Sequence, residues 1–364
     1  MKAITGRTPE ARDQRTAWIL SGVTSRSKSL PDVPSLSIVI PVYNEQDWIG
    51  RSIEALTTSL DRAGWPAEIV VVDDGSTDGT PKRLVELTGQ FGITVVSQEN
   101  AGRFAARQAG IRAASGERIL LLDARVIIEP DAFGFLKDQF LRHPERKVWN
   151  GHINVSTDGN PYGGFWAGLV AIGWRRYMAN PRLVSFGADE FDVYPKGTGF
   201  FCAPRELLEA AARSFESLFD DVKLASDDTR MLRWIAEREN IHLTPEFAAT
   251  YNSRDSFKKF VKHAYFRGTT FVDSYLDSPG PARNALFAAM AVGVVGLVIA
   301  AKFPKTALVL VLLGMVAAGA VARKAGASKG QALAVTKLLP VFAASFGSGV
   351  VRGLFLALKK ALSK

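Results

Sequence analysis

Two stretches of the chain share one arrangement, in which a run of β-branched apolar residues ends in polar ones. They are SIVIPVYNEQDWI (37–49) and EIVVVDDGSTDGT (68–80), and further apolar runs follow at ITVVSQ (93–98) and RILLLDA (118–124). Amphipathic segments separate the four runs. Short apolar strands that alternate with amphipathic helices predict a parallel sheet covered on both faces. The sequence therefore predicts an α/β fold.

Polar residues follow the predicted strands at the ends where parallel sheets bind ligands. Tyr43 and Glu45 follow the first strand, Asp73 and Asp74 the second, and Asp123 the fourth. Carboxylates in such positions accept hydrogen bonds from the N–H groups of a nucleotide base, and charge-assisted bonds of this kind are strong. We expect these residues to line a ligand site.

The composition is typical of a globular domain joined to a membrane portion. Of the 364 residues, 47% are hydrophobic and 22% are charged, and the formal net charge is +9. A basic surplus is found in proteins that bind nucleic acid, anionic lipid or phosphorylated ligands. The single cysteine, Cys202, excludes an intrachain disulfide, and the four histidines lack zinc spacing.

Three regions of the chain differ in character. Residues 1–34 are polar and basic, which predicts a flexible lead-in, residues 35–282 carry the α/β pattern, and residues 283–364 form a membrane domain. Within the last region, residues 284–301 and 306–322 are uncharged and near the roughly 20 residues that a spanning helix needs. We expect them to form a transmembrane hairpin.

The final apolar segment, residues 331–358, has two interpretations. A third membrane helix would carry Lys359 and Lys360 across the bilayer, which the positive-inside tendency disfavours. An interfacial amphipathic helix keeps these lysines on the same side as Arg323 and Lys324. The interfacial helix is favoured, and the third span is the alternative.

The strand that ends in Pro-Val-Tyr-Asn-Glu, followed by one that ends in Asp-Asp-Gly-Ser-Thr-Asp, resembles the family 2 glycosyltransferases. The resemblance covers roughly residues 36–275. It implies a Rossmann-like GT-A domain with a mostly parallel sheet, and inverting transfer of a sugar from a nucleotide diphosphate donor.

The resemblance also assigns the donor site. It implies that Pro41, Tyr43 and Glu45 pack against the base and ribose, and that the loop with Asp73 and Asp74 contacts uridine.

The helix ENAGRFAARQAGIRAASG (99–116) matches the family segment before the metal strand, and there the resemblance favours Arg107 as a donor contact. A solvated basic face is the alternative for this helix.

The stretch LLLDARVII (120–128) departs from the family pattern, which has Asp-X-Asp binding Mg²⁺ or Mn²⁺ at this point. Here Asp123 is followed by Arg125, and an arginine cannot ligate a metal. Two schemes stay open: Asp123 alone holds the metal with phosphates and water, which we favour, or Arg125 itself supplies positive charge to the diphosphate. Arg125 pairing with Glu129 is compatible with the first scheme.

The stretch SDDTRMLRWIAER (226–238) places two acids where the family has Glu-Asp. The resemblance implies that Asp228 is the catalytic base, with Asp227 beside it, and a neighbouring carboxylate would raise the pKa of such a base. Helix capping is the alternative for this pair, and Asp220 and Asp221 are weaker candidates for the base.

Two more segments complete the expected site. YPKGTGFFCAPREL (194–207) resembles the acceptor-side loop, in which Gly197 and Gly199 allow close approach of a sugar. FKKFVKHAYFRGTTF (257–271) contributes His263 on the acceptor side and Arg267 near the donor diphosphate. The full Gln-X-X-Arg-Trp motif of processive polysaccharide synthases is missing.

Together these features predict a multi-pass enzyme of the plasma membrane with a cytoplasmic catalytic domain. Its partners would be a nucleotide sugar, most simply UDP-linked, a lipid-linked or glycan acceptor, and membrane lipids, with no nucleic acid. A sugar-nucleotide-binding scaffold without turnover and a polysaccharide synthase subunit are the alternatives. A dinucleotide-dependent oxidoreductase is excluded because no G-x-G-x-x-G follows the first strand. The donor sugar, linkage and oligomeric state do not follow from the sequence.

Overall fold

The computed structural model describes residues 33–278 and 280–363. The predicted lead-in over residues 1–34 therefore lies almost wholly outside the described residues.

The strands of the described residues are β1 (Leu36–Val42), β2 (Ala67–Asp73), β3 (Thr94–Ser97), β4 (Arg118–Leu122), β5 (Val126–Ile128), β6 (Val148–Val155), β7 (Val184–Phe186), β8 (Phe200–Pro204) and β9 (Ile241–Tyr251). The helices are α1 (Ile49–Ala63), α2 (Thr80–Phe91), α3 (Arg103–Ala113), α4 (Ala132–Arg142), α5 (Pro161–Gly173), α6 (Arg175–Met178), α7 (Arg205–Ser214), α8 (Asp227–Ala236), α9 (Phe257–Tyr275), α10 (Pro281–Lys302), α11 (Pro304–Lys324) and α12 (Lys329–Leu362).

One sheet runs through the α/β domain in the order β3-β2-β1-β4-β8-β6-β9-β5, and β7 also pairs with β9. The strands β3, β2, β1 and β4 are parallel, as the alternating pattern predicts, while β8 enters antiparallel to β4. Because β-strand side chains alternate, Ile38 and Ile40 pack in one apolar layer and Val39 in the other. Helices α1, α2 and α4 cover the first layer, and α3, α7 and α8 cover the second. The fold is thus a mixed α/β sheet with a parallel first half, covered on both faces.

Helices α10 and α11 form the predicted apolar pair. Pro304 begins α11 directly after α10, at a position where a missing N–H costs no helical hydrogen bond. Large apolar side chains such as Leu297 and Leu312 are exposed on both helices. Both are long and apolar enough to cross a bilayer.

Helix α12 also meets that criterion of length and composition, so the described residues hold three candidate spans. At 34 residues it is about 51 Å long, against a hydrocarbon thickness of about 30 Å. Its assignment to the membrane interface stays a prediction.

Helix α12 packs closely against the α/β domain. Its Gly349 lies where an added Cβ would contact the backbone of α9, and the Thr269 hydroxyl of α9 donates a 3.1 Å hydrogen bond to the Gly349 carbonyl. Nearer its start, Phe342 contacts Phe165 of α5, with ring centroids 5.0 Å apart. Both halves of α12 are therefore attached to helices of the α/β domain.

Candidate active site

The carboxyl ends of the parallel strands bring the predicted acids to one edge of the sheet. Asp73 is the last residue of β2 and Asp123 directly follows β4, with β1 lying between the two strands. Two strand spacings separate them by about 10 Å. At the same edge, Tyr43 is exposed, and Pro41, the second-last residue of β1, is half-buried. These residues therefore lie at one edge of the sheet.

The Asp74 carboxylate stabilises a loop at this edge of the sheet. Its carboxylate accepts hydrogen bonds from the Gln98 side chain (2.7 Å) and from the backbone N–H groups of Ala101 (2.8 Å) and Gly102 (2.9 Å). It therefore fastens the loop that leads into α3. Asp73 accepts a bond from the Ser76 backbone N–H at 3.0 Å, which shapes the turn after β2.

Arg107 of α3 joins two of the predicted acids. Its Nη2 lies 2.8 Å from Asp123 Oδ1 and its Nη1 lies 2.9 Å from Asp228 Oδ1. The Arg107 side chain is only 2% exposed, whereas Asp123 and Asp228 are 29% and 20% exposed. The arginine thus lies beneath two partly exposed carboxylates, and the region around Asp123 and Asp228 is called the cleft below.

Asp228 is held in its ionised form. Burial acts to raise its pKa, but Arg103, Arg107, a hydrogen bond from the Thr198 hydroxyl and Arg267 together hold the pKa well below its usual range. Arg103 Nη2 lies 3.5 Å from Asp228 Oδ2. The expectation that a neighbouring carboxylate raises this pKa is not met, because the cationic groups outweigh burial.

The other acids near α8 differ in placement. Asp227 begins α8, and its side chain lies outside the described residues. Asp220 and Asp221 are exposed, and Asp221 accepts a bond from the Lys223 backbone N–H at 3.0 Å. Among the described side chains of these acids, that of Asp228 is the one in contact with Arg107.

Arg125 makes an ion pair that differs from the one considered from sequence. Its Nε lies 2.7 Å from Glu45 Oε2, and Arg254 Nη1 lies 2.9 Å from Glu45 Oε1. Glu129, the partner considered for Arg125, instead accepts a 3.2 Å bond from the Thr250 hydroxyl. Glu45 and Arg125 are both buried, and the Arg125 guanidinium also lies 5.4 Å from the Trp48 ring centroid. Two predicted donor-site residues are therefore bound to each other.

His263 of α9 is affected by several of the arginines described above. Burial, followed by the charges of Arg267, Arg254, Arg103 and Arg125, lowers its pKa to about 3. The imidazole is therefore neutral near neutral pH. Its ring packs against that of Trp166, with 5.0 Å between the centroids. Within the described residues, its Nδ1 is buried without a hydrogen-bond partner.

The two predicted acceptor-side glycines differ in their surroundings. A Cβ at Gly199 would lie 2.9 Å from Asp123 Oδ2, and the Gly199 carbonyl accepts a 2.9 Å bond from the Asp123 N–H. The absence of a side chain at Gly199 therefore leaves room for the Asp123 carboxylate. Gly197 has open space at its Cβ position and donates its N–H to Asn150 at 3.0 Å.

Sequence reasoning missed three residues that organise the site: Thr198, Arg254 and Asp273. Asp273 of α9 is fully buried and accepts hydrogen bonds from the Ser217 hydroxyl (3.0 Å) and the Ser226 backbone N–H (2.7 Å). It thereby holds the loop that ends at α8. An acidic residue on the apolar face of the α9 pattern was the available signal.

The surroundings of Asp123 fit poorly with the expected divalent metal. Over residues 33–278 and 280–363, no three His, Cys, Asp or Glu side chains are grouped to hold a metal ion. Mg²⁺ can bind through one carboxylate plus phosphates and water, but Asp123 Oδ1 already accepts from Arg107. The position two residues further on is the buried cation Arg125. Binding of Mg²⁺ or Mn²⁺ stays a prediction.

Comparison with known proteins agrees with this geometry. Residues 37–197 match the sequence profile described as Glycosyl transferase family 2. The match runs from β1 to the residues just before β8. The acids that follow β1, β2 and β4 and Gly197, which the sequence predicts on the acceptor side, all lie inside the matched region.

Curated relatives match over a shorter stretch. An undecaprenyl-phosphate 4-deoxy-4-formamido-L-arabinose transferase of Serratia proteamaculans is 35% identical over 102 residues, which are 27% of this chain and 31% of the relative. The Klebsiella pneumoniae protein of the same name is 35% identical over 104 residues, covering 28% and 32%. The chain thus spans about a third of the length of these relatives.

A solved structure extends the fold likeness beyond the family 2 region. The mannosyltransferase PcManGT from Pyrobaculum calidifontis, solved in complex with GDP-Man and Mn²⁺, superposes with a TM-score of 0.52 at 19% identity. The superposition covers 93% of this chain and 91% of that one. The two proteins therefore share their fold.

Proposed function

We propose that this chain is an inverting glycosyltransferase that moves a sugar from a nucleotide diphosphate donor to a lipid-linked acceptor at the cytoplasmic face of the plasma membrane. A UDP-sugar is the first choice of donor. The observation that carries the proposal is the bridge of Arg107 between Asp123 and Asp228 at the rim of the sheet. It supports a single cleft for donor and acceptor in a domain of the glycosyltransferase family.

The donor would lie along the rim from β2 to β4. Asp73 and the turn after it lie where the base and ribose would bind, and Asp123 lies about 10 Å away, where the diphosphate would lie. Arg103, Arg107 and Arg267 surround Asp228 with positive charge. Guanidinium groups bind phosphate oxygens through paired hydrogen bonds, which supports a diphosphate between them.

The transfer step forms a bond between an acceptor oxygen and the anomeric carbon. The bond from that carbon to the diphosphate breaks on the opposite face, and the nucleotide diphosphate leaves with the electron pair. A hydroxyl acceptor must also lose its proton, for which Asp228 is the candidate base. A phosphate acceptor is already ionised at neutral pH and needs no base.

The electrostatics of Asp228 favour a phosphate as the attacking group. Its ion pairs with Arg107 at 2.9 Å and Arg103 at 3.5 Å hold its pKa below the usual range, which makes it a weak base. The same arginines would attract an anionic acceptor. The relatives that match this chain are named for transfer to undecaprenyl phosphate. A polyprenyl phosphate is therefore the acceptor that we propose.

The packing of α12 supports a catalytic cleft at the membrane surface. Lys360, near the end of α12, donates a 2.9 Å hydrogen bond to the Ser217 carbonyl in the loop that leads to Asp228. The end of α12 would then lie on the same side of the membrane as the cleft. This agrees with an interfacial position for α12.

The proposal is tested by incubating membranes that contain the protein with a panel of nucleotide sugars and undecaprenyl phosphate. Mass spectrometry of the lipid extract should find one glycosylated product, and NMR should find its anomeric configuration inverted relative to the donor. Asp228→Asn should lower transfer to the phosphate acceptor less than transfer to any hydroxyl acceptor. Donor binding without transfer to any lipid would instead identify the non-catalytic scaffold.

A further inference from the structure

We propose that the cleft binds the donor diphosphate through its arginine side chains and needs no divalent cation. This inference rests on the proposed function, because it concerns the donor of the same reaction. It means that the enzyme works without a metal ion at Asp123.

Positive charge is concentrated around Asp228 and His263. Arg103, Arg107 and Arg267 act on Asp228, with Arg107 and Arg103 at 2.9 Å and 3.5 Å, and Arg103, Arg125, Arg254 and Arg267 act on His263. A diphosphate would be attracted to this group of arginines, whereas a divalent cation would be repelled by it.

Arg125 stands where the family resemblance implies the second acidic ligand. Glu45 is shared by Arg125 and Arg254, so it compensates only one of these two positive charges. The pKa of Tyr251 is raised chiefly by burial, and both Asp123 and the Arg125–Glu45 pair act on it electrostatically. Arg125 and Asp123 thus belong to one electrostatic neighbourhood, in which a cation at Asp123 would face permanent positive charge.

Asp123 is already engaged by Arg107. A metal at this carboxylate would compete with Arg107, whose Nη2 lies 2.8 Å from Oδ1 and whose side chain is only 2% exposed. Oδ2 faces the space that the missing Cβ of Gly199 leaves. The guanidinium of Arg107 therefore keeps a permanent positive charge beside Asp123, where a metal would otherwise bring its own.

His263 supplies an independent indication of an anion site. Its Nδ1 is buried and has no hydrogen-bond partner in the described residues, and four arginines act on the ring. An imidazole that stays neutral among so many cations can donate one N–H to a phosphate oxygen without adding charge. Burying that group without a partner would cost free energy, which a bound anion would recover.

Isothermal titration calorimetry of the full-length protein in detergent tests the proposal, with UDP and GDP as separate probes. Each titration is run in EDTA and again in MnCl₂. We expect the Kd of the binding nucleotide to agree within about threefold between the two buffers, which is less than 1 kcal/mol. A nucleotide that binds only with Mn²⁺ would overturn the inference and leave the proposed function intact. Failure of both nucleotides under both conditions would overturn both.

Variants separate the arginines from the fold. Arg267 is exposed, so Arg267→Ala should fold, and we expect it to weaken nucleotide diphosphate binding in EDTA by about tenfold, or 1.4 kcal/mol. Arg142→Ala is the control, because its 72% exposed side chain lies on α4 and pairs only with Asp138 among its described ion pairs. Unchanged affinity in Arg267→Ala would contradict the role of the arginines. Recovery of the lost affinity of Arg267→Ala when Mn²⁺ is added would also contradict it.

Discussion

Arg125 and Glu45 form a buried ion pair, with 2.7 Å between Nε and Oε2. Arg125 stands where the family resemblance implies an acid, and Glu45 lies 80 positions earlier in the chain, after the first strand. The pair therefore links two parts of the donor rim and gives the substituted residue a partner. Removal of either charge would leave the other buried and uncompensated.

Glu45→Ala should destabilise the protein by about 3 kcal/mol, because Arg125 loses its buried counter-charge and Arg254 loses its anchor. Thermal or chemical denaturation in detergent measures the change. Asp131→Ala breaks the exposed pair of Arg62 and Asp131 and should cost less than about 1 kcal/mol. Equal effects of the two substitutions would show that the buried Glu45 pair stabilises the protein no more than an exposed ion pair does.

Asp273→Asn should lower transfer activity more than its effect on stability would explain. The substitution weakens the charge-assisted hydrogen bonds to Ser217 and Ser226, each worth about 1.5–3 kcal/mol, and frees the loop before Asp228. Activity at saturating donor, alongside a denaturation curve, measures both effects. The control is Asp277→Asn, which removes an exposed partner of Arg230. Full activity in Asp273→Asn would show that the position of this loop does not matter for catalysis.

His263 should make the protein less stable in acid. Its pKa is lowered to about 3 in the folded state, chiefly by burial, whereas an unfolded histidine titrates near 6.5. Between these pH values the unfolded chain binds one more proton than the folded chain. His263 therefore leaves the free energy of unfolding unchanged above about pH 6.5 and lowers it by about 1.4 kcal/mol per pH unit below that.

Denaturation midpoints between pH 7 and pH 4.5 measure this dependence. His263→Gln should flatten it relative to wild type. Substitution of His143, which lies at the end of α4 with its side chain 40% exposed, should not. Parallel curves for wild type and His263→Gln would contradict the assignment.

Gly349→Ala should destabilise the contact between α9 and α12, because its Cβ would meet the backbone of Tyr265 and lie 3.0 Å from the Thr269 nitrogen. Overpacking of this kind costs about 1–3 kcal/mol. Thermal unfolding in detergent measures the loss. Gly347→Ala lies two residues away on the same helix with nothing near its Cβ position, and it should be neutral or slightly stabilising. Equal unfolding temperatures for the two variants would contradict the close packing of α9 and α12.

Labelling of single cysteines should distinguish two spans from three. Phe303→Cys lies between α10 and α11, and Ser363→Cys lies at the end of α12. The native Cys202 is buried, so its background should be low. With an interfacial α12, a membrane-impermeant maleimide should label position 303 in intact cells and position 363 only after permeabilisation. Labelling of both positions in intact cells would mean that α12 crosses the bilayer.

The α/β pattern and the rim of the sheet were predictable because they depend on local periodicity. Strands β1 to β4, helices α1 to α3 and the helices α10 and α11 all lie where the apolar runs predict them. The placement of Asp73 and Asp123 follows from the same pattern, since parallel strands end at one edge.

Residue pairing across the cleft could not be read from the sequence. Arg107 and Asp228 are 121 positions apart, and their contact exists because the start of α8 is brought over α3. The same is true of Arg125 with Glu45 and of α12 with α9. The sequence by itself determined which residues could form strands, helices and charged ends. Only the tertiary structure decided which charges meet, because side-chain partners depend on the distances between elements that are far apart in the chain.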